Sequence, residues 1–125
     1  FYGAWVDATR NDLDALRSAL ADGDLEAVGR IAEGNCLRMH ATMLGAEPGL
    51  LYWNAATVRV IHAVRALRAE GRGAWFTIDA GPQVKVLCDA RDESMIHERL
   101  QALEGVEDVL ASGPGAGARV SERHA

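Results

Sequence analysis

The sequence predicts an α+β domain of two layers, in which helices pack on one face of an antiparallel sheet of about four strands. Three observations lead to this fold class. Apolar residues recur at helical spacing through residues 5–67, and two later segments alternate with the two-residue period of strands. A connection of five residues joins those two segments, which is typical of a β-hairpin.

The first two helices are expected to form an antiparallel hairpin. Asp22 and Gly23 end the first helix, and Asp24 is a suitable N-cap for the second, which runs to about Leu44. The expected buried stripes are Trp5, Leu13, Leu16 and Leu20 in the first helix and Leu25, Val28, Ala32, Cys36, Met39 and Met43 in the second.

A third helix follows a loop that contains Pro48 and Gly49. It is predicted to begin near Asn54 or Ala55 and to end in the segment 70–73, because glycine commonly terminates helices. Its expected buried face carries Thr57, Ile61, Val64 and Leu67, while Arg59 and Arg65 point away.

The sheet is expected to begin with strands at 73–78 and 84–88, where β-branched and aromatic residues alternate with others. Residues 79–83, "DAGPQ", connect them. A fourth helix is predicted over 89–105, with Ile96, Leu100 and Leu103 on its buried stripe.

The rest of the chain is expected to complete the sheet. A third strand is predicted over 106–112, and the glycine-rich residues 113–120 form either a short fourth strand or a frayed end. Residues 1–119 are interpreted as one domain and residues 120–125 as a loose tail.

The composition is typical of a globular domain. The chain has 125 residues, of which 49% are hydrophobic and 25% are charged. Its net charge of -5 argues against nucleic-acid binding, and no apolar run approaches the roughly 18 residues of a membrane span. Cys36 and Cys88 are expected to be reduced thiols in a cytoplasmic protein. Because the chain begins with Phe1, it is interpreted as part of a longer polypeptide.

Asp79 is the first candidate functional residue. It ends a predicted strand and directly precedes Ala80 and Gly81. One reading is a turn residue, because aspartate often bonds the backbone just downstream. The other reading is functional: a rigid strand would hold the carboxylate beside a substrate hydroxyl, which it could orient or deprotonate. The residues alone leave both readings open.

The segment 35–42, "NCLRMHAT", is the second candidate. Its polar residues form either an exposed face or a helix end that faces a cleft, and His40, next to Met39, is expected to lie off the apolar stripe. The glycine-rich residues 112–117 lack the Lys-Ser or Lys-Thr pair of a phosphate-binding loop. The histidines and cysteines have no metal-ligand spacing, so no metal site is predicted.

Three segments together resemble the C-terminal domain of diphosphomevalonate decarboxylases, which belong to the GHMP kinase superfamily. The family pattern has an Asn-x-x-x-Met-His-Ala-Thr helix, an aromatic pair after a Pro-containing loop, and a Thr-x-Asp-Ala-Gly-Pro-Asn turn. Here these are residues 35–42, the pair Tyr52 and Trp53, and residues 77–83, with Gln83 where the family usually has Asn. The resemblance extends from about residue 5 to residue 119.

The resemblance implies an ATP-dependent decarboxylation of mevalonate 5-diphosphate to isopentenyl diphosphate, with release of ADP, phosphate and carbon dioxide. Asp79 corresponds to the catalytic carboxylate that orients or deprotonates the 3-hydroxyl. Ala80 and Gly81 are expected to bind substrate through their backbone, with Met39 and His40 as supporting residues of the substrate pocket.

The resemblance also implies that ATP and Mg²⁺ are held mainly by an N-terminal domain of the same enzyme, so the chain alone is expected to be inactive. A homodimer is expected, and Met43, Tyr52 and Trp53 are candidates for a surface that meets the N-terminal domain or a second copy. Two alternatives stay open. One is a phosphomevalonate decarboxylase or a mevalonate-type GHMP kinase, and the other is a non-enzymatic ligand-binding module.

Overall fold

The computed structural model describes residues 1–120, which fold into four helices and one two-stranded antiparallel sheet. The predicted α+β class is confirmed. Within this part of the chain, no helix is long and apolar enough to cross a lipid bilayer. The elements in order are α1 (Tyr2–Asp22), α2 (Leu25–Leu44), α3 (Ala55–Ala69), β1 (Ala74–Ile78), β2 (Val84–Cys88) and α4 (Glu93–Gln101).

The turn between α1 and α2 forms as its sequence predicts. Gly23 has a φ of 68°, in the left-handed region that favours glycine. The N–H group of Asp24 donates to Ala19 O at 2.9 Å and thereby ends α1. The Asp24 side chain then accepts from the N–H group of Ala27 at 2.9 Å, which begins α2.

The buried stripes of the α1–α2 hairpin differ from the predicted ones. In α1, Leu13 and Leu20 are 47% and 61% exposed, whereas Ala19 is buried. In α2, hydrophobicity pointed to apolar residues alone, and of these Cys36 is buried as predicted. The observed stripe also carries polar residues, because these find hydrogen-bond partners on β1. The buried residues of α2 are Gly29, Glu33, Cys36 and His40.

The hydrophobic core lies between α3 and the sheet. Ala74, Phe76 and Ile78 of β1 are almost completely buried, and Ile96 and Leu100 of α4 belong to the same cluster. The predicted face of α3 is confirmed: Thr57, Ile61, Val64 and Leu67 are buried, and Arg59 and Arg65 are exposed.

The two strands pair in the predicted hairpin. Ala74 lies opposite Cys88 and Ile78 lies opposite Val84, so residues 79–83 form the connection. Both Cys36 and Cys88 are free thiols, as expected.

The predicted third and fourth strands are not formed within residues 1–120; the segments 106–112 and 113–120 have no regular secondary structure. Val106 and Val109 pack against the core, but their spacing of three residues does not match the two-residue period of a strand. The predicted tail lies outside the described residues, apart from its first residue.

Gly29 allows α2 to lie directly against β1. A Cβ atom at this position would lie 2.2 Å from Cδ2 of Trp75 and 2.3 Å from Cγ. Trp75 is 8% exposed, so its ring cannot simply rotate into solvent. Any larger residue at position 29 must therefore push the helix and the strand apart.

We expect Gly29→Ala to lower the free energy of unfolding by about 1–3 kcal/mol, because overpacking outweighs the gain of up to roughly 1 kcal/mol in helix propensity. Gly3→Ala in α1 is the control, since nothing lies within 4 Å of its Cβ position. Urea unfolding of the two variants and wild type provides the measurement. Unchanged or higher stability of Gly29→Ala would show that α2 does not pack this closely.

Candidate functional site

Asp79 lies directly after β1, at the first position of the connection. Its side chain is 80% exposed and forms an ion pair with Lys85 of β2. Thr77 lies opposite Lys85 in the register, so Asp79 and Lys85 are diagonal neighbours on one face of the hairpin. The pairing therefore brings a carboxylate and an ammonium group together at the open end of the sheet.

The turn uses the main chain of Asp79 rather than its carboxylate. The N–H group of Gly81 donates to Asp79 O at 2.9 Å. Among the described residues, the carboxylate hydrogen-bonds to Lys85. Asp89 shows the contrasting geometry, since its side chain accepts from the N–H group of Arg91 at 2.9 Å. The carboxylate of Asp79 thus has no such task in the turn, which favours the functional reading.

The far side of the connection is anchored to α3. The hydroxyl oxygen of Thr57 lies 2.8 Å from Pro82 O, to which it donates. Thr57 also forms a capping box with Asn54: each backbone N–H group donates to the side chain of the other residue, at 2.9 and 3.2 Å. Because Thr57 is 2% exposed, this anchor is shielded from water.

The outer edge of β1 is closed by side chains. In the described chain this strand pairs only with β2, yet its other edge is buried. Arg68 Nη1 donates to Ala74 O at 2.8 Å, and the N–H group of Phe76 donates to Glu33 Oε2 at 3.4 Å. Arg68 and Glu33 also pair with each other through two hydrogen bonds of 2.8 and 2.9 Å.

Ile78, the residue before Asp79, is held through both of its backbone polar groups. Its N–H group donates to Cys36 Sγ at 3.2 Å, and its carbonyl accepts from Cys36 Sγ at 3.5 Å and from His40 Nε2 at 3.1 Å. Because a carbonyl only accepts, Nε2 of His40 carries the proton.

The Cys36 thiol is protonated at neutral pH. Burial raises the pKa of this thiol, although the backbone hydrogen bond with Ile78 acts in the opposite direction. A protonated thiol can donate to a carbonyl as well as accept from an N–H group. Cys36 is therefore suited to contact both groups of one residue.

The predicted site residues do not all lie together. Ala80 is exposed and Gly81 is half-buried, and both follow Asp79 directly. His40 is 3% exposed and lies behind Ile78, with its ring centroid 4.9 Å from that of Trp53. Met39 is half-buried on α2. The expectation that His40 lies off the buried stripe is wrong, because its ring finds an acceptor on β1.

Sequence reasoning named His40 as a site residue but missed its contact with Ile78, the contacts of Glu33 and Cys36 with β1, and Lys85. The predicted hairpin with its connection at 79–83 was the available signal for Lys85, because it already places this residue diagonally across from Asp79. Glu33, Cys36 and His40 follow one another at three and four residues, and this spacing was the available signal that they share a helix face.

A groove of about 710 Å³ opens beside β2 and is lined mainly by β2, α4 and residues 105–112. Pro82 and Gln83 of the connection and Lys85 of β2 also line it. Within residues 1–120, no group of three or more His, Cys, Asp or Glu side chains could hold a metal ion. The chemical groups that the candidate site presents are the carboxylate of Asp79 and the ammonium group of Lys85.

Residues 7–115 match the family model described as the mevalonate 5-diphosphate decarboxylase C-terminal domain. The phosphomevalonate decarboxylase of Haloferax volcanii is 37% identical over 75 residues, which are 59% of this chain and 23% of that protein. The diphosphomevalonate decarboxylase of Aspergillus fumigatus is 28% identical over 104 residues, which are 80% of this chain and 25% of that protein. The chain thus spans about a quarter of these relatives.

Solved structures share the fold. The mevalonate diphosphate decarboxylase from Enterococcus faecalis is 37% identical with a TM-score of 0.78, covering 84% of this chain and 33% of its own. A structure of MDDEF in complex with MVAPP, AMPPCP and magnesium is 39% identical with a TM-score of 0.77. The match covers 81% of this chain and 31% of that chain. The mevalonate diphosphate decarboxylase from Staphylococcus aureus is 35% identical with a TM-score of 0.78. The match covers 84% of this chain and 32% of that chain.

We expect Thr57→Val to lower the free energy of unfolding by about 1–3 kcal/mol, because it removes the hydroxyl group that accepts from the Asn54 N–H group and donates to the Pro82 carbonyl. The Gly81 amide should also exchange its hydrogen faster, since the connection loses its anchor. Urea unfolding and amide hydrogen exchange provide the measurements.

Thr57→Ser keeps the hydroxyl group and serves as the control, with both properties close to wild type. If Thr57→Val matches wild type in both measurements, the connection does not depend on this hydroxyl group.

Proposed function

Because the chain belongs to the family of mevalonate 5-diphosphate decarboxylase C-terminal domains, we propose that it forms part of an ATP-dependent diphosphomevalonate decarboxylase. Its own contribution would be the catalytic carboxylate of Asp79. The observation that carries this assignment is the geometry of that side chain. It is exposed, it has no hydrogen bond to the turn, and it projects from a backbone held on both sides.

The proposed reaction converts mevalonate 5-diphosphate to isopentenyl diphosphate in two stages. Asp79 orients the 3-hydroxyl or takes its proton, and the hydroxyl oxygen attacks the γ-phosphorus of ATP so that ADP leaves. The new phosphate then leaves from C3 while the bond between the carboxylate carbon and C2 breaks. The electron pair of that bond forms the C2–C3 double bond, and carbon dioxide is released.

The described residues fit the carboxylate role better than the nucleotide role. The glycine-rich residues 112–117 lack the Lys-Ser or Lys-Thr pair of a phosphate-binding loop and have no regular secondary structure, so no helix N-terminus follows them within the described residues. We therefore assign ATP and Mg²⁺ to the N-terminal domain of the same enzyme. The complex of MDDEF with AMPPCP and magnesium supports both as ligands of such an enzyme.

Substrate binding by the backbone of Ala80 and Gly81 fits their place beside Asp79. Gln83 Oε1 lies 2.7 Å from the position that a Cβ atom of Gly81 would occupy, so the Gln83 side chain borders the same place. Met39 keeps its proposed supporting role as a half-buried residue of α2. A homodimer in the cytoplasm completes the proposal, and these two features rest on the family resemblance.

A second candidate substrate is mevalonate 5-phosphate. It rests on the 37% identity to the phosphomevalonate decarboxylase of Haloferax volcanii over 59% of this chain. The mevalonate diphosphate decarboxylase of Enterococcus faecalis is also 37% identical, over 84% of this chain, so the diphosphate remains the first candidate. The chemistry at C3 is the same for both substrates, so Asp79 would have the same role.

The test uses the full-length protein with Mg-ATP and either mevalonate 5-diphosphate or mevalonate 5-phosphate. We expect wild type to release ADP and carbon dioxide together, and Asp79→Asn to lose about 10²–10⁴-fold in kcat while still binding substrate, because a general base is removed. Asp89→Asn is the control and should remain active, since it changes a carboxylate outside the proposed site.

Other outcomes of this experiment would support a different substrate, a different reaction or a protein without enzymatic activity. Faster turnover of mevalonate 5-phosphate identifies a phosphomevalonate decarboxylase, and ADP without carbon dioxide identifies a kinase. Binding without turnover by wild type identifies a non-enzymatic module. Near-normal turnover by Asp79→Asn would refute the catalytic role of the carboxylate.

A further inference from the structure

We propose that Cys36 and His40 are positioning residues for Asp79, which act by fixing the peptide group from which Asp79 projects. This inference rests on the proposed catalytic role of Asp79. It also gives His40 a different task from the substrate contact that the sequence suggested.

The first step of the argument is the planarity of the peptide bond. The Ile78 carbonyl shares one plane with the nitrogen and the Cα atom of Asp79. Cys36 and His40 both donate to this carbonyl, at 3.5 and 3.1 Å, and Cys36 also accepts from the Ile78 N–H group. These contacts therefore fix the plane that leads into Asp79.

The second step concerns the peptide group that follows Asp79. Its carbonyl accepts from the N–H group of Gly81 at 2.9 Å, which fixes the next plane. With both flanking planes held, the direction of the Cα–Cβ bond of Asp79 is set. What remains free is rotation within the short side chain, and Lys85 favours one direction of the carboxylate through their ion pair.

The third step is that His40 is built into the interior. The ring is 3% exposed, lies 4.9 Å from the Trp53 ring and 6.5 Å from the Tyr52 ring, and is closed off by Ile78. A ring held in this way has few orientations, so its Nε2 donor stays aimed at the carbonyl. Because the ring is almost completely buried, a substrate beside Asp79 has no direct access to it.

The expected effect lies in the rate rather than in binding. Displacing a catalytic group by about 1 Å can cost about 10²-fold in rate, because the reacting atoms lose alignment. An interaction that matters only in the transition state lowers kcat and kcat/KM together. Loss of either donor should therefore lower kcat and leave KM nearly unchanged.

The experiment uses the full-length protein and two variants of His40 that differ in one hydrogen bond. His40→Leu removes the donor, and His40→Gln keeps an amide N–H group near the position of Nε2. We expect His40→Leu to lower kcat about 10–100-fold with KM within about threefold, and His40→Gln to recover most of the loss. Cys36→Ala and Cys36→Ser form a second matched pair with the same expected order.

A double variant separates positioning from a general loss of structure. In Asp79→Asn, the group to be positioned is no longer a base, so adding His40→Leu should not lower the residual kcat further. A merely structural role would lower kcat in both backgrounds, in proportion to the fraction of protein that binds substrate. If His40→Leu does not fold, His40→Asn, whose amide is withdrawn from the carbonyl, replaces it.

The outcomes distinguish this inference from the proposed function. One outcome is that wild type decarboxylates the substrate and Asp79→Asn does not, while His40→Leu keeps kcat within twofold of wild type. This would refute the positioning role of His40 and leave the proposed function intact. A rise in KM with unchanged kcat in His40→Leu would instead indicate substrate contact and overturn positioning. If Asp79→Asn is as active as wild type, the function and the inference fail together.

Discussion

The structure depends on the closure of the outer edge of β1 by polar side chains from α2 and α3. A buried strand edge carries N–H and C=O groups that are costly to leave unpaired. Glu33, Cys36, His40 and Arg68 satisfy such groups on alternate residues of this strand. For Cys36, Glu33 and His40 of α2 to reach the backbone, this helix must lie close to β1, which explains the need for glycine opposite Trp75.

Local features of the fold were predictable from the sequence, whereas features set by distant partners were not. The turn at Gly23 and Asp24 and the capping box of Asn54 depend on residues a few positions apart. The buried stripe of α2 depends on partners 38–43 residues further along the chain. Hydrophobicity cannot show that such partners exist, so it assigned the stripe to the apolar residues. The expected strand over 106–112 has the same difficulty, because a strand requires a partner as well as a pattern.

In the candidate site, too, some features follow from the local sequence and others depend on contacts between distant residues. Asp79 could be identified from its place before Ala80 and Gly81 and from the family resemblance. Lys85 could have been inferred from the predicted hairpin, whereas the contacts to Ile78 required the packing of α2. The contacts by which Cys36 and His40 hold the backbone were therefore not visible in the sequence, although the residue that would perform the chemistry was.

The site combines a fixed backbone with a side chain that can still adjust. The peptide groups on both sides of Asp79 are held by hydrogen bonds, while its carboxylate stays 80% exposed and contacts a half-exposed lysine. An ion pair in this setting contributes little to stability, because water and salt screen it. Separating Asp79 from Lys85 therefore costs little, so a substrate hydroxyl can take the place of the ammonium group. The carboxylate is thus directed from a rigid strand and remains free to exchange one partner for another.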